Sequence, residues 1–589
     1  MDEKINIIRS FKYGWCDMKY TVSGGNKNAV ITVKEKIKNG IEFLCVNLKL
    51  PEAEIPERFS VDFKFSASDC AFTWNPGMMD IHGLYFDWGK KTIKSRLASW
   101  MPLQQIISRK GENKLLISVS DVDTPIEIGT GICEEDATIA CSVAFFTLPT
   151  TPVTEYTAEI RLDMRENIFS DSIYETSVWW ENECGYKSAF VPEGAREVVD
   201  SLWYSFHQNL DKDEILKECR ASYDIGMKTV IIDDGWQTDD NNRGYAYCGD
   251  WQVAPGKMGD MKKLVDDIHN IGMKIMLWYS VPFMGIYCDK YSEFKDMLLD
   301  GCGDEKTFFA LDPRYKKVRE YLANVYETAV REWGLDGLKL DFIDSFVLKG
   351  KALEYDGRRD YQSLEDAIHA LMTDVKERLI KINPDILIEF RQSYIGPSIR
   401  KYGNMLRVGD CPCDILKNRF NIVNLRLTSG KTAVHSDMIM WNTEDTVENA
   451  ALQFASILYS VPQISMRVDK LPESHYKMLK YYISFWNEWR KVLLDGKLSA
   501  TNPECEYSLV WSELDEKAVF TAYSDRVIPV KTKETVAVNA TAEESLIIKN
   551  AKGKNYKVVN CMGEEIANGI VENDLQEIYV NISGMIFIY

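Results

Sequence analysis

The sequence predicts a multidomain chain, with a central (β/α)8 barrel between an N-terminal β-sandwich and a small C-terminal antiparallel β-sandwich. Three observations lead there. Residues 1 to about 190 hold many short runs that alternate apolar and polar side chains. From about 195 to 500 the rhythm becomes strand and then helix, repeated, and after Asn502-Pro503 it returns to short strands. A period of two marks half-buried strands, and a period of 3.6 marks helices packed on one face. The chain has 589 residues, room for about three to four domains. The expected boundaries are 1–192, 193–500 and 501–589.

In the first region, 29–34, 59–65, 114–119 and 156–162 read as strands separated by Gly, Asn, Asp and Pro turns. That is the pattern of a large antiparallel sandwich, and a structural role is expected for it. In the middle region, eight β-rich runs fall at 202–207, 229–236, 274–280, 337–343, 385–392, 405–410, 432–439 and 462–468. Helical periods follow most of them, over 211–226, 261–272, 315–334, 363–383, 415–430, 447–460 and 472–496. In the fourth of these, Leu364, Ala367, Ile368, Leu371, Met372, Val375 and Leu379 mark one face. Eight such units fit a TIM barrel rather than an open doubly wound sheet, and no Gly-x-Gly-x-x-Gly turn opens a helix. The last strands are expected over 508–512, 518–523, 535–538, 545–549, 556–560 and 577–589.

Composition narrows the partners. With 45% hydrophobic and 27% charged residues the chain reads as soluble and globular. A net charge of −19 disfavours a nucleic-acid partner, because binding a polyanion needs a basic surface. The 15 Trp, 29 Tyr and 24 Phe suit sugar faces and large cores alike. No run of 18 apolar residues is present, so no membrane span is expected. The opening Met1-Asp2-Glu3-Lys4-Ile5-Asn6 lacks a basic stretch followed by an apolar run, so no secretory signal is expected. Fourteen cysteines without small-scaffold spacing read as reduced thiols, and the cytoplasm is the expected address. Cys411 and Cys413 flank Pro412 without a second pair, the six histidines are scattered, and no His-Glu-x-x-His occurs. No metal or other cofactor is expected.

Barrel strands are buried on both faces and should be apolar, whereas barrel enzymes carry their chemistry at the C-terminal strand ends. Here five strands end in charge: Asp233-Asp234-Gly235-Trp236, Lys339-Leu340-Asp341, Glu389-Phe390-Arg391, Arg407-Val408-Gly409-Asp410 and His435-Ser436-Asp437. Alternation puts Lys339 and Asp341 on one face, and Leu338, Leu340 and Phe342 on the face toward the helices. Buried unpaired charge is costly, so such a cluster implies mutual pairing or a polar ligand.

Two carboxylates flanking a glycosidic bond serve as nucleophile and general acid/base. The nucleophile must stay ionised, and Asp341 has Lys339 beside it to lower its pKa. The acid needs a raised pKa, and Asp410, in the turn Gly409-Asp410-Cys411-Pro412 with mostly uncharged neighbours, fits that role. Asp233 and Asp234 can accept hydrogen bonds from sugar hydroxyls. Metal-assisted hydrolysis would want further ligands converging on one ion. Only His435 and Asp437 form a local pair, for which a hydrogen-bonded structural role is expected.

At these residues the chain resembles the glycoside hydrolase family 36 α-galactosidases. The resemblance rests on the order of Asp-Asp-Gly-Trp at 233–236, Leu-Trp at 277–278, Lys-Leu-Asp at 339–341, Arg391 and Arg-Val-Gly-Asp at 407–410. It implies a retaining mechanism on an oligosaccharide or glycoside, with Asp341 as nucleophile and Asp410 as acid/base. It implies that Asp233 and Asp234 grip sugar hydroxyls and that Trp203, Trp278, Lys339 and Arg391 line the pocket. Trp74 would be an aromatic lent by the N-terminal sandwich, and self-association of the chain is implied without a number of copies. Three departures stand out: Leu340 replaces a tryptophan, Tyr279-Ser280-Val281-Pro282 replaces an acidic run, and Ile388-Glu389-Phe390-Arg391-Gln392 replaces a Cys- and Gly-rich approach. The last two open the specificity to a modified sugar such as α-N-acetylgalactosamine. Transfer of galactose to another acceptor would use the same residues, and a non-catalytic carbohydrate-binding protein is the alternative from another class.

Overall fold

The computed structural model describes residues 9–13, 16–77, 83–299, 306–348 and 357–589. Two six-stranded antiparallel sheets make the N-terminal part. The expected runs become strands Val30–Lys38, Phe59–Ser66, Asn113–Val119 and Val153–Asp163. Val22, Val61, Leu115, Ile117, Val143 and Ile160 meet between the sheets in a core of their own. A helix, Phe169–Asn182, follows the last of these strands, which the sequence reading did not anticipate. Its Trp180 is fully buried and donates its indole N–H to the Val119 carbonyl at 2.8 Å.

Eight parallel strands form the barrel: β1 Val199–Ser201, β2 Thr229–Ile232, β3 Lys274–Ser280, β4 Gly337–Asp341, β5 Leu387–Arg391, β6 Met405–Arg407, β7 Ala433–His435 and β8 Gln463–Ile464. They pair in chain order, and β8 pairs back onto β1. The ring closes where Val461 N–H donates to the Val434 carbonyl at 2.8 Å. Among the described residues the long helices that wrap it are α1 Lys212–Asp224, α2 Met261–Ile271, α3 Lys316–Thr328, α4 Leu364–Ile382, α5 Ile415–Thr428, α6 Val447–Ala455 and α7 Glu473–Asp495. Between β5 and β6 the chain makes only a 3-10 turn, Ile399–Lys401.

The helix ends follow local chemistry. Asp211, Asp260, Ser363, Asp414 and Thr446 each cap a helix by accepting backbone N–H groups. The first barrel strand differs from its expected place. The run 202–207 is a short helix, Trp203–Phe206, and the strand is Val199–Ser201. Asp200 hid that strand, because a carboxylate in its middle breaks the apolar pattern; it is fully buried against α1, where it accepts from Ser222 Oγ at 2.7 Å.

The C-terminal part pairs a seven-stranded sheet with a three-stranded one, beginning at the strand Lys497–Thr501. All the strands expected beyond 502 are found within two residues of their predicted starts, and the last run splits into Leu575–Tyr579 and Met585–Ile588. Apolar side chains of all three parts join in one continuous core, which includes Trp74, Leu338 and Val536. Among the described residues no helix is long and apolar enough to cross a membrane.

Candidate active site

The register of the barrel sets the site. Trp278, Lys339 and Glu389 stand at one level on β3, β4 and β5, and Ser280 and Asp341 stand one step further toward the C-terminal ends. Asp341 is buried and surrounded by donors. Its Oδ1 accepts from Arg391 Nε at 2.6 Å, the Phe342 N–H at 2.8 Å and Tyr394 Oη at 2.9 Å. Its Oδ2 accepts from Trp278 Nε1 at 3.0 Å. Burial pushes its pKa up, but the charges of Arg391, Lys339 and Arg407 and the Trp278 bond hold it well below the usual carboxylate range. Asp341 is therefore ionised in a dry place.

Lys339, inward on the same strand, donates to Asp233 Oδ2 at 2.6 Å. Asp234 accepts from Gln208 Nε2 and Gln237 Nε2, both at 2.7 Å. Burial pushes Asp234 up to about 6, against the pull of those two amides and with help from the Asp233 charge. The turn that presents both carboxylates requires Gly235. Its φ is +115°, and a Cβ there would meet Gln208 Cα at 2.7 Å.

Asp410 lies at the rim beyond β6, with its side chain 57% exposed. Here the sequence expectation is corrected. Its neighbourhood is charged rather than neutral, because Arg407 turns back and donates to it at 2.9 Å. The protein around Asp410 works to raise its pKa, but Arg407, Arg391 and Lys339 outweigh that, and Asp341 pushes the other way. The net direction is down. Arg407 is itself held at the barrel axis by Asp437, whose Oδ1 accepts from it at 2.5 Å, with Glu389 at 3.7 Å.

His435 and Asp437 have structural partners. His435 sits 2.8 Å from the Ala195 carbonyl, and burial lowers its pKa to about 4. Asp437 Oδ2 accepts from the Cys411 N–H at 2.6 Å and Tyr204 Oη at 2.9 Å. Trp203 is half-buried in the short helix after β1, edge-on to His207. Trp74 does not reach the pocket. It is fully buried, and its indole N–H is shared by Asn424 Oδ1 at 3.1 Å and Tyr507 Oη at 3.2 Å. It pins the N-terminal sandwich to α5 and to the C-terminal part. The N-terminal part touches the site's surroundings elsewhere: Trp100 N–H donates to the Ser393 carbonyl at 2.7 Å, and Arg96 donates to the Asp344 carbonyl at 2.9 Å.

Phe342 also departs from expectation. Alternation would turn it toward the helices, but its φ of +65° breaks the alternation. Its ring instead lies 4.9 Å from the Arg391 guanidinium. Tyr394, Gln208 and Gln237 also belong to the site without having been expected there. Nothing local marks Tyr394, which reaches Asp341 from the loop after β5, and Gln208 and Gln237, 26 residues before and three after Asp234, carry no periodic signal. Arg407 was visible as a charge inside a strand, though its role was not.

A family model described as Melibiase matches residues 186–398, which spans β1 to β5. The chain is 24% identical over 204 residues to the α-galactosidase Mel36A of Lactobacillus acidophilus, covering 33% of this chain and 27% of that protein. It is 26% identical over 202 residues to the bifunctional α-galactosidase/sucrose kinase AgaSK of Mediterraneibacter gnavus, covering 33% of this chain and 20% of that protein. The match thus spans less than a third of either relative's length. Over nearly the whole chain the fold is similar to a GH36 α-galactosidase, a variant of AgaA from Geobacillus stearothermophilus in complex with stachyose. The TM-score is 0.65 at 14% identity, covering 99% of this chain and 86% of that one. Over much of its barrel the chain is thus similar to the Melibiase family and to curated α-galactosidases, and its three-part fold is similar to that of solved GH36 α-galactosidases.

Proposed function

We propose that the chain is a retaining α-glycoside hydrolase, and first of all an α-galactosidase that releases terminal α-linked galactose from small oligosaccharides. One observation carries the reading: Asp341 is a buried carboxylate held ionised by three cations, with one oxygen saturated by donors and the other bonded only to Trp278. Oδ2 is accordingly the oxygen free to attack.

In the first step Oδ2 of Asp341 bonds to the anomeric carbon as the bond to the aglycone oxygen breaks, and Asp410 delivers its proton to that oxygen. In the second, Asp410 takes a proton from water, whose oxygen displaces Asp341 and restores the starting configuration. Asp410 starts with a lowered pKa, so the aglycone must cover it and exclude water for the proton to be held. Once Asp341 is esterified its charge is gone, and the cations, now opposed by one carboxylate fewer, hold Asp410 ionised, in the form that takes the proton from water. Asp233 and Asp234 would accept from sugar hydroxyls, with Lys339 fixing Asp233. Trp203, Trp278 and Arg391 complete the wall. No cysteine among those described is paired, which favours a reducing compartment, the cytoplasm.

The test is hydrolysis of p-nitrophenyl α-galactoside, α-N-acetylgalactosaminide, α-glucoside and β-L-arabinopyranoside side by side, with and without EDTA. Turnover of the α-galactoside, unchanged by EDTA, is the expected result. Turnover of another member alone would keep the mechanism and move the sugar. Silence across the panel would favour a binding protein.

A further inference from the structure

Residues 391–394, at and just past the end of β5, bond both to the nucleophile and to the turn that carries the acid/base. Arg391 Nε and Tyr394 Oη donate to Oδ1 of Asp341 at 2.6 and 2.9 Å. Gln392, between them, turns toward the neighbouring strand β6. Its backbone N–H donates to the Arg407 carbonyl at 3.0 Å, which extends the β5–β6 ladder by one bond. Its side chain then continues where the ladder stops, with Oε1 accepting the Gly409 N–H at 2.8 Å. A side-chain carbonyl thus does for Gly409 what a neighbouring backbone does within the ladder. The next residue is Asp410.

Asp410 is exposed at the rim, so its place depends on how its backbone is held. On the β7 side Val408 N–H donates to the His435 carbonyl at 3.1 Å, and Cys411 N–H to Asp437 Oδ2 at 2.6 Å. On the β5 side the two bonds above both come from Gln392. Gln392 is buried, and the loop around it is itself anchored. Arg391 Nη1 donates to the Gln392 carbonyl at 2.9 Å, and Ser393 Oγ to Asp344 Oδ2 at 3.0 Å. The Ser393 carbonyl accepts the Trp100 N–H of the N-terminal sandwich at 2.7 Å.

We propose that Gln392 is a positioning residue for the acid/base: it ties the Gly409-Asp410 turn to the loop that holds Asp341, and so sets the spacing of the two carboxylates. The inference rests on the glycosidase reading of Asp341 and Asp410. Retention needs the two carboxyl groups about 5–5.5 Å apart, and misplacing one by about 1 Å costs about a hundredfold in rate. Without Oε1 the half-buried Gly409 N–H turns to water and Asp410 gains freedom, while Arg391 and Tyr394 go on holding Asp341. The resemblance to the α-galactosidases would put a Cys- and Gly-rich stretch here, and a glycine has no side chain with which to make this bond.

The experiment compares kcat/KM on melibiose, whose leaving oxygen needs a proton, with kcat/KM on 2,4-dinitrophenyl α-galactoside, whose leaving oxygen does not. Gln392→Met nearly keeps the volume and loses the acceptor. It should lower the melibiose value by about 10- to 100-fold and the dinitrophenyl value by less than about threefold. Azide should raise its kcat on the dinitrophenyl substrate, because azide displaces Asp341 from the anomeric carbon without help from a base. The product should be the α-galactosyl azide, a result that general loosening of the fold would not give. Gln392→Glu keeps an acceptor oxygen for the Gly409 N–H and should restore most of the melibiose-to-dinitrophenyl ratio. Thermal melts check that each variant is folded, and Gln392→Ala takes the place of Gln392→Met if that one is not. Equal losses on both substrates, no loss on melibiose, or a Gln392→Glu ratio no better than that of Gln392→Met overturns the positioning role while leaving the galactosidase reading intact. Turnover of neither substrate by the wild type overturns both readings together.

Discussion

Arg391 Nε lies 2.6 Å from Oδ1 of Asp341, reaching it from the adjacent strand, while Trp278 on the strand to the other side holds Oδ2 at 3.0 Å. The carboxylate is clamped between its two neighbours in the barrel, one supplying charge and the other a neutral donor. A group held so is ionised and fixed in direction, which is what a nucleophile needs and what a merely structural ion pair does not require on both oxygens.

Replacing that group tests the assignment. Asp341→Gly should lower kcat on p-nitrophenyl α-galactoside by about four orders of magnitude. Azide should restore turnover by entering the vacated space, and the product should be the β-galactosyl azide. An α-configured azide, seen by NMR, would place the nucleophile elsewhere.

Asp410 is tested by the leaving group. Asp410→Ala should cost about 10²- to 10⁴-fold on an oligosaccharide, whose departing oxygen needs a proton, and far less on a 2,4-dinitrophenyl galactoside, which does not. Equal losses on both substrates would remove Asp410 from the acid role.

The pH profile should reveal Arg407. In the free enzyme the basic limb of kcat/KM reports the acid's pKa, and the pKa of Asp410 is lowered chiefly by Arg407 against the burial that raises it. Asp437 competes for Arg407 and repels Asp410. Asp437→Asn removes both effects, so Asp410 ionises more readily and the basic limb should move to lower pH. A shift upward, or none, on a substrate with a poor leaving group would contradict the network.

Lys339 and Asp233 form a buried pair at 2.6 Å, with side chains 5% and 6% exposed. Lys339→Met leaves Asp233 buried without its cation, which should cost about 3–5 kcal/mol of stability. It also frees the carboxylate to turn from the sugar, so KM should rise together with the fall in denaturation midpoint. Urea unfolding and steady-state kinetics on the same preparation separate the two.

Glu42, in the N-terminal sandwich, is 1% exposed, and among the described residues neither of its oxygens has a hydrogen-bond partner. Burial, with a contribution from Glu35, pushes its pKa up to about 7. An unfolded Glu ionises near pH 4.3, so between about pH 4 and 7 the unfolded chain loses a proton that the folded chain keeps. Stability falls over that window as pH rises, by up to about 3 kcal/mol. Glu42→Gln should therefore match the wild type near pH 4 and unfold at a higher temperature at pH 7 and above, as read by thermal melts across pH.

The three-part architecture and the strands that carry charge are legible in the amino-acid order alone. Alternation and helical period are local, and each reports which face of an element is buried, so the barrel rhythm, the helices over 364–382 and 473–495, and the inward pair Lys339 and Asp341 were all readable. What depends on distant partners was not. Trp74 was expected at the pocket, yet its partners Asn424 and Tyr507 lie 350 and 433 residues away and draw it into a core between the three parts. Phe342 follows alternation in sequence but leaves it in space, because the backbone turns left-handed to close over Arg391. Asp410 and Arg407 are three residues apart, and still their pairing depends on residues brought in from other strands. Asp437 and Glu389, brought in from β7's end and β5, fix where the guanidinium sits, and that position sets the charge Asp410 feels. Electrostatic environment is a sum over everything within several ångströms, and a linear sequence orders only the nearest few of those neighbours.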